Sequence, residues 1–193
     1  KITKNFENKI QKLIEELNQN ISVTTNEISL QPNNFRAYNG LGNVFSKLGQ
    51  IEMAKRSYQR AIELNDKFAV AYQNLASMFM AEGEAQESEQ NFKKAIALDP
   101  NYDQAYFNYG FLLFSQERYS DAIDQFLETD AILSRHYLLM CFYLEDQEKR
   151  FFEQLDSFID TGEVHPIIGS MCTRSALRYD IKRPNLFCQL QHR

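Results

Sequence analysis

The sequence predicts an all-α fold, a solenoid of antiparallel helix pairs, and three observations carry this prediction. Large apolar residues recur at a step of 34 residues, and small residues recur at fixed positions between them. Glycine and proline are rare, with 7 and 4 in 193 residues, which favours long helices joined by short turns. A large residue fills a hole in its neighbour and a small one lets two helices approach. One period for both therefore indicates a helical hairpin stacked on copies of itself.

Three rows of equivalent residues define the repeat. The first row is Tyr38, Leu41, Gly42, Phe45, Ala54, Tyr58 and Ala61. The second is Tyr72, Leu75, Ala76, Phe79, Ser88, Phe92 and Ala95. The third is Tyr106, Tyr109, Gly110, Leu113, Ala122, Phe126 and Thr129. Clear repeats are therefore predicted at about 35–68, 69–102 and 103–133, inside a solenoid that covers residues 1–164 with degenerate units at both ends.

The N-terminal segment is amphipathic and is predicted to be helical. Its apolar residues fall at helical spacing: Ile10, Leu13, Ile14, Leu17 and Ile21. Thr24, Thr25 and Glu27 resemble a capping box, so a second helix is expected to start there and to end at Gln31-Pro32. Asn33 or Asn34 would then cap the first clear repeat.

Turn residues divide each repeat into two helices. Gly49 and Gly83 are the expected turns of the first two hairpins, since glycine readily takes the left-handed conformation that ends a helix. The third hairpin carries Glu117 at this position. A fourth, degenerate hairpin is expected from His136–Leu144 and Arg150–Ile159. Residues 165–193 are predicted to form a capping helix and a linker, on the apolar residues Ile167, Ile168, Met171, Cys172 and Leu177.

Composition narrows the class of protein. The formal charge of −5 and the lack of a dense basic tract argue against a nucleic-acid partner. No apolar run reaches the roughly 18–20 residues of a membrane helix. Three cysteines without CxxC spacing (Cys141, Cys172 and Cys188) favour free thiols in a reducing compartment, so a cytoplasmic location is predicted. The chain does not begin with Met, so its natural start is not defined by this sequence.

The repeat resembles the tetratricopeptide repeat. The pattern Tyr38-x2-Leu41-Gly42-x2-Phe45 followed by Ala54-x3-Tyr58-x2-Ala61 matches that family. The second repeat departs at Ala76 and Ser88, both still small, and the third has Thr129 in place of Ala. The resemblance covers Phe35 to about Ala131. It implies helix pairs wound into a right-handed superhelix, in which the first helix of each pair lines a concave groove that binds peptides or partner helices.

The resemblance also assigns candidate binding residues in that groove, and no cofactor. They are Asn39, Asn43, Lys47, Gln73, Asn74, Ser77, Gln104, Phe107, Asn108, Phe111 and Phe114. An amide offers both a donor and an acceptor and can pair with any peptide group. The alternative is that these asparagines bridge neighbouring helices. The clamp for acidic chaperone tails needs cations where this chain has Asn39, Gln104 and Asn108, so such a partner is not expected.

Phe107, Phe111 and Phe114 form a second apolar stripe on a helix whose other face is already apolar. A helix that is apolar all round should be buried all round. One interpretation is that the C-terminal segment folds back over the stripe, or that the repeats close up there. The other is a hydrophobic anchor for a partner or for self-association with a second copy of this chain.

No constellation typical of an enzyme is present in the sequence. His136, His165 and His192 lie far apart without metal-ligand spacing, and no glycine-rich phosphate loop is found. The chain is therefore predicted to be a protein-binding scaffold and not an enzyme. The alternative is the N-terminal arm of a larger bacterial enzyme. The tract from His165 to Cys188 resembles the joint that precedes an oxygenase- or transferase-type domain.

Overall fold

The computed structural model describes residues 2–161, and this range contains nine α-helices joined by short turns. The helices are α1 (Ile2–Leu30), α2 (Phe35–Lys47), α3 (Ile51–Leu64), α4 (Ala69–Glu82), α5 (Ala85–Leu98), α6 (Asp103–Ser115), α7 (Tyr119–Leu127), α8 (Ile132–Leu144) and α9 (Glu148–Thr161). The predicted all-α helical-repeat fold is confirmed for this part of the chain. The predicted capping segment 165–193 lies outside the described residues.

The chain divides into two compact units, one ending at Ala105 and the other beginning at Tyr106. In the first unit, α2 packs on α3 and α4 packs on α5, while α1 packs on α2. In the second, α7 packs on α8, and α8 packs on α9. Each unit has its own buried residues, for example Tyr58 in the first and Phe126 in the second.

The N-terminal region contradicts one prediction, because α1 runs unbroken through the expected capping box. Thr24 Oγ1 donates to the carbonyl of Asn20 at 2.6 Å, and Thr25 Oγ1 donates to the carbonyl of Ile21. A threonine inside a helix commonly donates to the carbonyl four residues earlier. Both threonines do so here, so neither marks the start of a second helix. The helix ends at Leu30, as Pro32 predicts, and Asn34 Oδ1 caps α2 by accepting from the amides of Arg36 and Ala37.

In each of two hairpins, a glycine on the first helix packs closely against an aromatic ring on the second. A Cβ added to Gly42 would lie 2.5 Å from Cε1 of Tyr58, and one added to Gly110 would lie 2.7 Å from Cε1 of Phe126. Both rings are almost fully buried. The glycines therefore provide the space that the aromatic rings occupy, as the repeat pattern predicts.

The expected fourth hairpin is present as α8 and α9, and the spacing of its two helices equals that in the first three hairpins. Each first helix begins 16 residues before its partner in all four hairpins, but α8 begins only 29 residues after α6. The missing residues come from α7, which has 9 residues where α3 and α5 have 14. Shortening of one helix explains why the 34-residue period is lost there.

The fourth hairpin also exchanges the sizes of its packing residues. Leu139 stands where earlier hairpins have Gly42, Ala76 or Gly110, and Leu155 stands where they have a large ring. Phe151 takes the position of the small residues Ala54, Ser88 and Ala122. Leu139, Phe151 and Leu155 are all buried, so the exchanged sizes still fill the interior.

Candidate protein-binding surface

An amide cluster joins α2 and α4 in the first unit. Asn74 Nδ2 on α4 donates to Asn39 Oδ1 at 3.0 Å and to Asn43 Oδ1 at 3.2 Å, both on α2. Asn39 and Asn43 lie one turn apart, which places both oxygens on the same side of α2. The structure thus brings three of the predicted site residues into direct contact. It also gives them the bridging role that was the alternative interpretation.

Tyr58 holds Asn43 from the interior side. Its hydroxyl donates to Asn43 Oδ1 at 2.9 Å, while its ring fills the space beside Gly42. Burial raises the pKa of Tyr58 to about 12, so the hydroxyl keeps its proton at neutral pH. The repeat pattern predicts only a packing role for Tyr58. Its second role has no signal in the sequence, because the bond to Asn43 depends on the distance between α3 and α2.

These bonds decide which amide groups remain available for a ligand. Asn74 uses both Nδ2 hydrogens internally, which leaves its Oδ1 as an acceptor. Asn43 Oδ1 accepts from both Tyr58 and Asn74, which leaves its Nδ2 as a donor. Asn43 is exposed and Asn74 half-buried, whereas Asn39 is 8% exposed. The cluster therefore presents one donor group and one acceptor to solvent.

A second polar group involves Gln73 and Ser77 on α4. Gln73 Nε2 donates to Ser77 Oγ at 3.1 Å, and the Tyr102 hydroxyl donates to Gln73 Oε1 at 2.9 Å. Ser77 Oγ in turn donates to the Gln73 carbonyl. Gln73 is 6% exposed, so these bonds mainly satisfy buried polar atoms. Lys47, at the end of α2, is exposed.

The predicted site residues on α6 differ in exposure. Gln104 is exposed and Asn108 is half-buried. Phe107, Phe111 and Phe114, here called the aromatic stripe, are half-buried. All three rings pack against Tyr137 of α8, with ring centroids 6.0, 5.4 and 5.2 Å from that ring.

Tyr137 was not recognised as a site residue from the sequence. Its ring also stacks on Phe126, with centroids 5.4 Å apart. Part of the cover that the aromatic stripe requires therefore comes from α8. The signal that could have identified Tyr137 is its register position, because it stands where the earlier repeats have Asn74 and Asn108.

Other features of the described residues are separate from these surfaces. A surface cavity of about 630 Å³ lies at the loop between α1 and α2, lined by Gln31, Pro32, Asn33, Asn34, Phe35 and Arg36. Within residues 2–161 no group of three or more His, Cys, Asp or Glu side chains is placed to hold a metal ion. Cys141 is fully buried, and burial raises the pKa of its thiol to about 12. No helix in this range is long and apolar enough to cross a membrane.

The paired helices and the polar surface on their first members define a helical-repeat scaffold for protein interactions. Models of the tetratricopeptide repeat match residues 35–68, 69–102 and 91–124. Residues 35–124 of the chain therefore consist of tetratricopeptide repeats.

Several solved structures share the fold. A MamA structure aligns with a TM-score of 0.66 and 21% identity, over 80% of this chain and 95% of that one. Pseudomonas aeruginosa PilF aligns with a TM-score of 0.66 and 23% identity, over 80% of this chain and 75% of that one. YrrB, described as a TPR protein with an unusual peptide-binding site, aligns with a TM-score of 0.60 and 20% identity, over 81% of this chain and 82% of that one.

A short segment is shared with an enzyme. Over 33 residues, 17% of this chain, the sequence is 85% identical to phosphoglucosamine mutase of Prochlorococcus marinus strain MIT 9312. The corresponding identity to the enzyme of strain MIT 9215 is 76%. The matched segment is 7% of the length of each enzyme, so this likeness extends to a small part of either protein.

Proposed function

We propose that this protein binds a peptide or a partner helix across α2 and α4, through the amide cluster of Asn39, Asn43 and Asn74. The observation that carries the proposal is the pair of groups left over by the internal bonds. The Nδ2 of Asn43 can donate to a ligand, and the Oδ1 of Asn74 can accept from one. A peptide group has one donor and one acceptor, so it complements this pair whatever its side chain.

The internal bonds make the cluster suitable for binding because they fix the amides before a ligand arrives. Asn43 is held by Tyr58 and Asn74, so neither its rotamer nor the direction of its Nδ2 has to be ordered on binding. Lys47 is exposed one turn further along α2 and would favour an acidic residue in the ligand. Gln73 and Ser77 support the neighbouring face of α4.

The substitution Asn43→Asp tests this proposal while leaving the internal bonds in place. Aspartate keeps the oxygen that accepts from Tyr58 and Asn74, but it replaces the donating Nδ2 with a second acceptor. A random peptide library displayed on phage would be selected on the wild-type chain. The dissociation constant of an enriched peptide would then be measured by calorimetry. We expect Asn43→Asp to weaken binding at least about tenfold, because a hydrogen bond is replaced by a repulsive contact.

Gln90→Glu is the matched control, since it makes the same amide-to-acid change at an exposed position of α5. We expect its dissociation constant to stay within about twofold of wild type, as for a surface site remote from the ligand. Equal affinities for Asn43→Asp and wild type would refute a role for the amide cluster. Failure of the library to yield any enriched peptide would argue against peptide binding by this chain.

The alternative function, a recognition arm of a larger enzyme, is favoured by one observation. A 33-residue stretch of this chain is 85% identical to part of a phosphoglucosamine mutase. The size of the natural protein in host lysate, measured by blotting with an antibody against this chain, tests it. A band near 22.6 kDa would contradict the alternative, and a much larger band would support it.

A further inference from the structure

One face of α2 carries two basic side chains on either side of the amide cluster. Arg36, Asn43 and Lys47 lie within about 40° of one another around the helix axis, and all three are exposed. Gly40 shares this face and has no side chain, so the surface of α2 between Arg36 and Asn43 is open to a ligand. At a rise of about 1.5 Å per residue, Arg36 and Lys47 are about 16.5 Å apart along α2.

The described part of the chain does not neutralise these two charges. Helix α2 contains no Asp or Glu, and Glu82, the one acidic residue of α4, bonds Lys55 at 2.5 Å. Among the described residues, no carboxylate forms an ion pair with Arg36 or Lys47. The whole chain has a formal charge of −5, so the charge of this face is opposite in sign to that of the molecule. Such a face attracts an acidic ligand.

Arg36 is held in position without using its hydrogen-bond donors. Its guanidinium carbon lies 5.5 Å from the centroid of the Phe35 ring, and that ring packs edge-on against Phe68 at 4.9 Å. A cation over a ring is attracted by the charge distribution of the ring face, and this contact consumes no N–H group. The donors of the guanidinium therefore remain for a carboxylate, which they can bind in a bidentate manner.

The surface cavity of about 630 Å³ provides space for that carboxylate. Arg36 is one of the residues that line it, and the other five lining residues carry no charge. An Asp or Glu side chain can therefore enter the cavity without meeting a charged group that repels it. The lining residues precede α2 or belong to its first turn, so a carboxylate inside the cavity is further from Lys47 than the spacing along α2.

The amide cluster favours an extended ligand over a helical one. In an α-helix the internal N–H groups already bond carbonyls four residues earlier, so none is left for Asn74 Oδ1. An extended segment keeps both the donor and the acceptor of each peptide group. Successive side chains of such a segment point to opposite sides, so two carboxylates that face α2 are an even number of residues apart. Six residues span about 20 Å, which matches the distance from the cavity to Lys47.

We propose that the ligand of this surface is an extended acidic segment with two carboxylates about six residues apart. One carboxylate enters the cavity beside Arg36, and the other binds Lys47. A peptide group between them pairs with Asn43 and Asn74. This inference rests on the proposed function, because the amide cluster determines where the ligand lies. It adds the chemical class and the conformation of the ligand.

Selection of a random peptide library on two forms of the protein tests the ligand class. The forms are the wild-type chain and the charge-reversed variant Arg36→Glu with Lys47→Glu. Peptides enriched on the wild type should carry Asp or Glu at two positions with the proposed spacing. Peptides enriched on the variant should carry Lys or Arg at that spacing instead, because the attraction is reversed.

The composition of the enriched peptides separates this inference from the proposed function. Peptides that lack an acidic pair, but whose binding Asn43→Asp abolishes, would overturn the inference and leave the proposed function in place. Acidic residues at helical steps of three, four and seven would overturn it in favour of a partner helix. Failure to enrich any peptide on the wild type would overturn both.

The affinity of an enriched peptide, measured by calorimetry at low ionic strength, tests the two basic residues. Arg36→Gln with Lys47→Gln should raise the dissociation constant about fivefold, because two solvent-exposed ion pairs are lost. The matched control is Arg56→Gln with Lys94→Gln, which removes the same charge from exposed positions of α3 and α5. It should leave the dissociation constant within about twofold of wild type. Equal losses in both double variants would overturn the inference, since only net charge would then matter.

Peptides in which one of the two carboxylates is changed to an amide assign each carboxylate to its partner. Arg36→Gln should weaken binding of the parent peptide but have no further effect on one amide derivative. Lys47→Gln should have no further effect on the other derivative. Equal effects of each substitution on both derivatives would overturn the proposed placement.

Discussion

Glycines within one helix of these repeats affect stability differently, depending on which side chains pack beside them. Gly40 and Gly42 lie two positions apart in α2. A Cβ at Gly40 would meet Thr24 Cγ2 at an ordinary 3.8 Å, whereas one at Gly42 would collide with the buried ring of Tyr58 at 2.5 Å. Each glycine destabilises the helix to a similar extent through its conformational entropy. Only at Gly42 is this loss offset, because the absence of a side chain lets the Tyr58 ring pack closely.

The two glycines give a prediction of opposite sign. Gly40→Ala should raise the free energy of unfolding by about 1 kcal/mol, because alanine is the better helix former and the added methyl has room. Gly42→Ala should lower it by roughly 1–2 kcal/mol, because overpacking against Tyr58 outweighs the same gain. Urea denaturation of both variants beside wild type measures this. A gain from Gly42→Ala would mean that the Tyr58 ring can move away.

Buried serines provide a second contrast. Ser134 Oγ is fully buried without a hydrogen-bond partner among the described residues, at the position where the other hairpins have Ala37, Ala71 and Ala105. Ser134→Ala should therefore raise the free energy of unfolding by about 1 kcal/mol, because it removes an unsatisfied hydroxyl. Ser88 Oγ is also buried but donates to the Ala76 carbonyl at 2.9 Å. Ser88→Ala should cost about 1 kcal/mol in the same chemical denaturation experiment.

At the scale of the helices, the turns are more alike in conformation than in sequence. Gly49 and Gly83 have φ of 71° and 80°, and Glu117 and Asp146 take the same left-handed region at 61° and 57°. In all four hairpins the amide after this residue donates to a carbonyl five residues earlier in the chain. The hairpin geometry thus imposes positive φ even where a side chain makes that conformation unfavourable.

Exchanging the turn residues should change stability in opposite directions. Glu117→Gly should raise the free energy of unfolding by roughly 0.5–1 kcal/mol. Glycine removes the steric penalty of the left-handed backbone, and this gain exceeds the extra conformational entropy that glycine gives to the unfolded state. Gly83→Ala should lower the free energy of unfolding by about 1 kcal/mol for the converse reason. Both changes in the free energy of unfolding are measured from urea midpoints, provided that its dependence on urea concentration, m, is the same in each variant. A loss on Glu117→Gly would show that its side chain makes a stabilising contact.

Across both units, burial favours the neutral form of four described side chains, which are Tyr58, Tyr72, Tyr102 and Cys141. Burial raises the pKa of Tyr58 to about 12 in the first unit and that of Cys141 to about 12 in the second. Burial also raises the pKa of Tyr102 and of Tyr72. An acid whose pKa is higher in the folded state stabilises that state below its unfolded pKa, and the contribution disappears as pH rises through the folded value.

Stability should therefore fall between about pH 9 and pH 12. The measurement is the urea midpoint from pH 7 to pH 11.5, followed by helical circular dichroism. Tyr58→Phe should be less stable than wild type at neutral pH, because Asn43 loses a bond, but its stability should decline less steeply above pH 10. A parallel decline in both proteins would show that Tyr58 ionises normally when folded.

The sequence by itself determined the helical-repeat fold, the hairpins at 35–68 and 69–102, and their turns, because these depend on period, residue size and glycine. It did not determine the continuity of α1, since a threonine can cap the start of a helix or bond to a carbonyl inside one. It also missed Tyr137, because shortening of α7 moved α8 out of the period.

The tertiary structure decided the roles of the polar residues. The contacts among Asn39, Asn43 and Asn74 depend on the distance between α2 and α4. The bond from Tyr58 to Asn43 depends on the distance between α2 and α3. A sequence specifies which side chains share a helix face, because that follows from local geometry. Which of their donors and acceptors are consumed by neighbours, and which remain for a ligand, is fixed only when the helices pack.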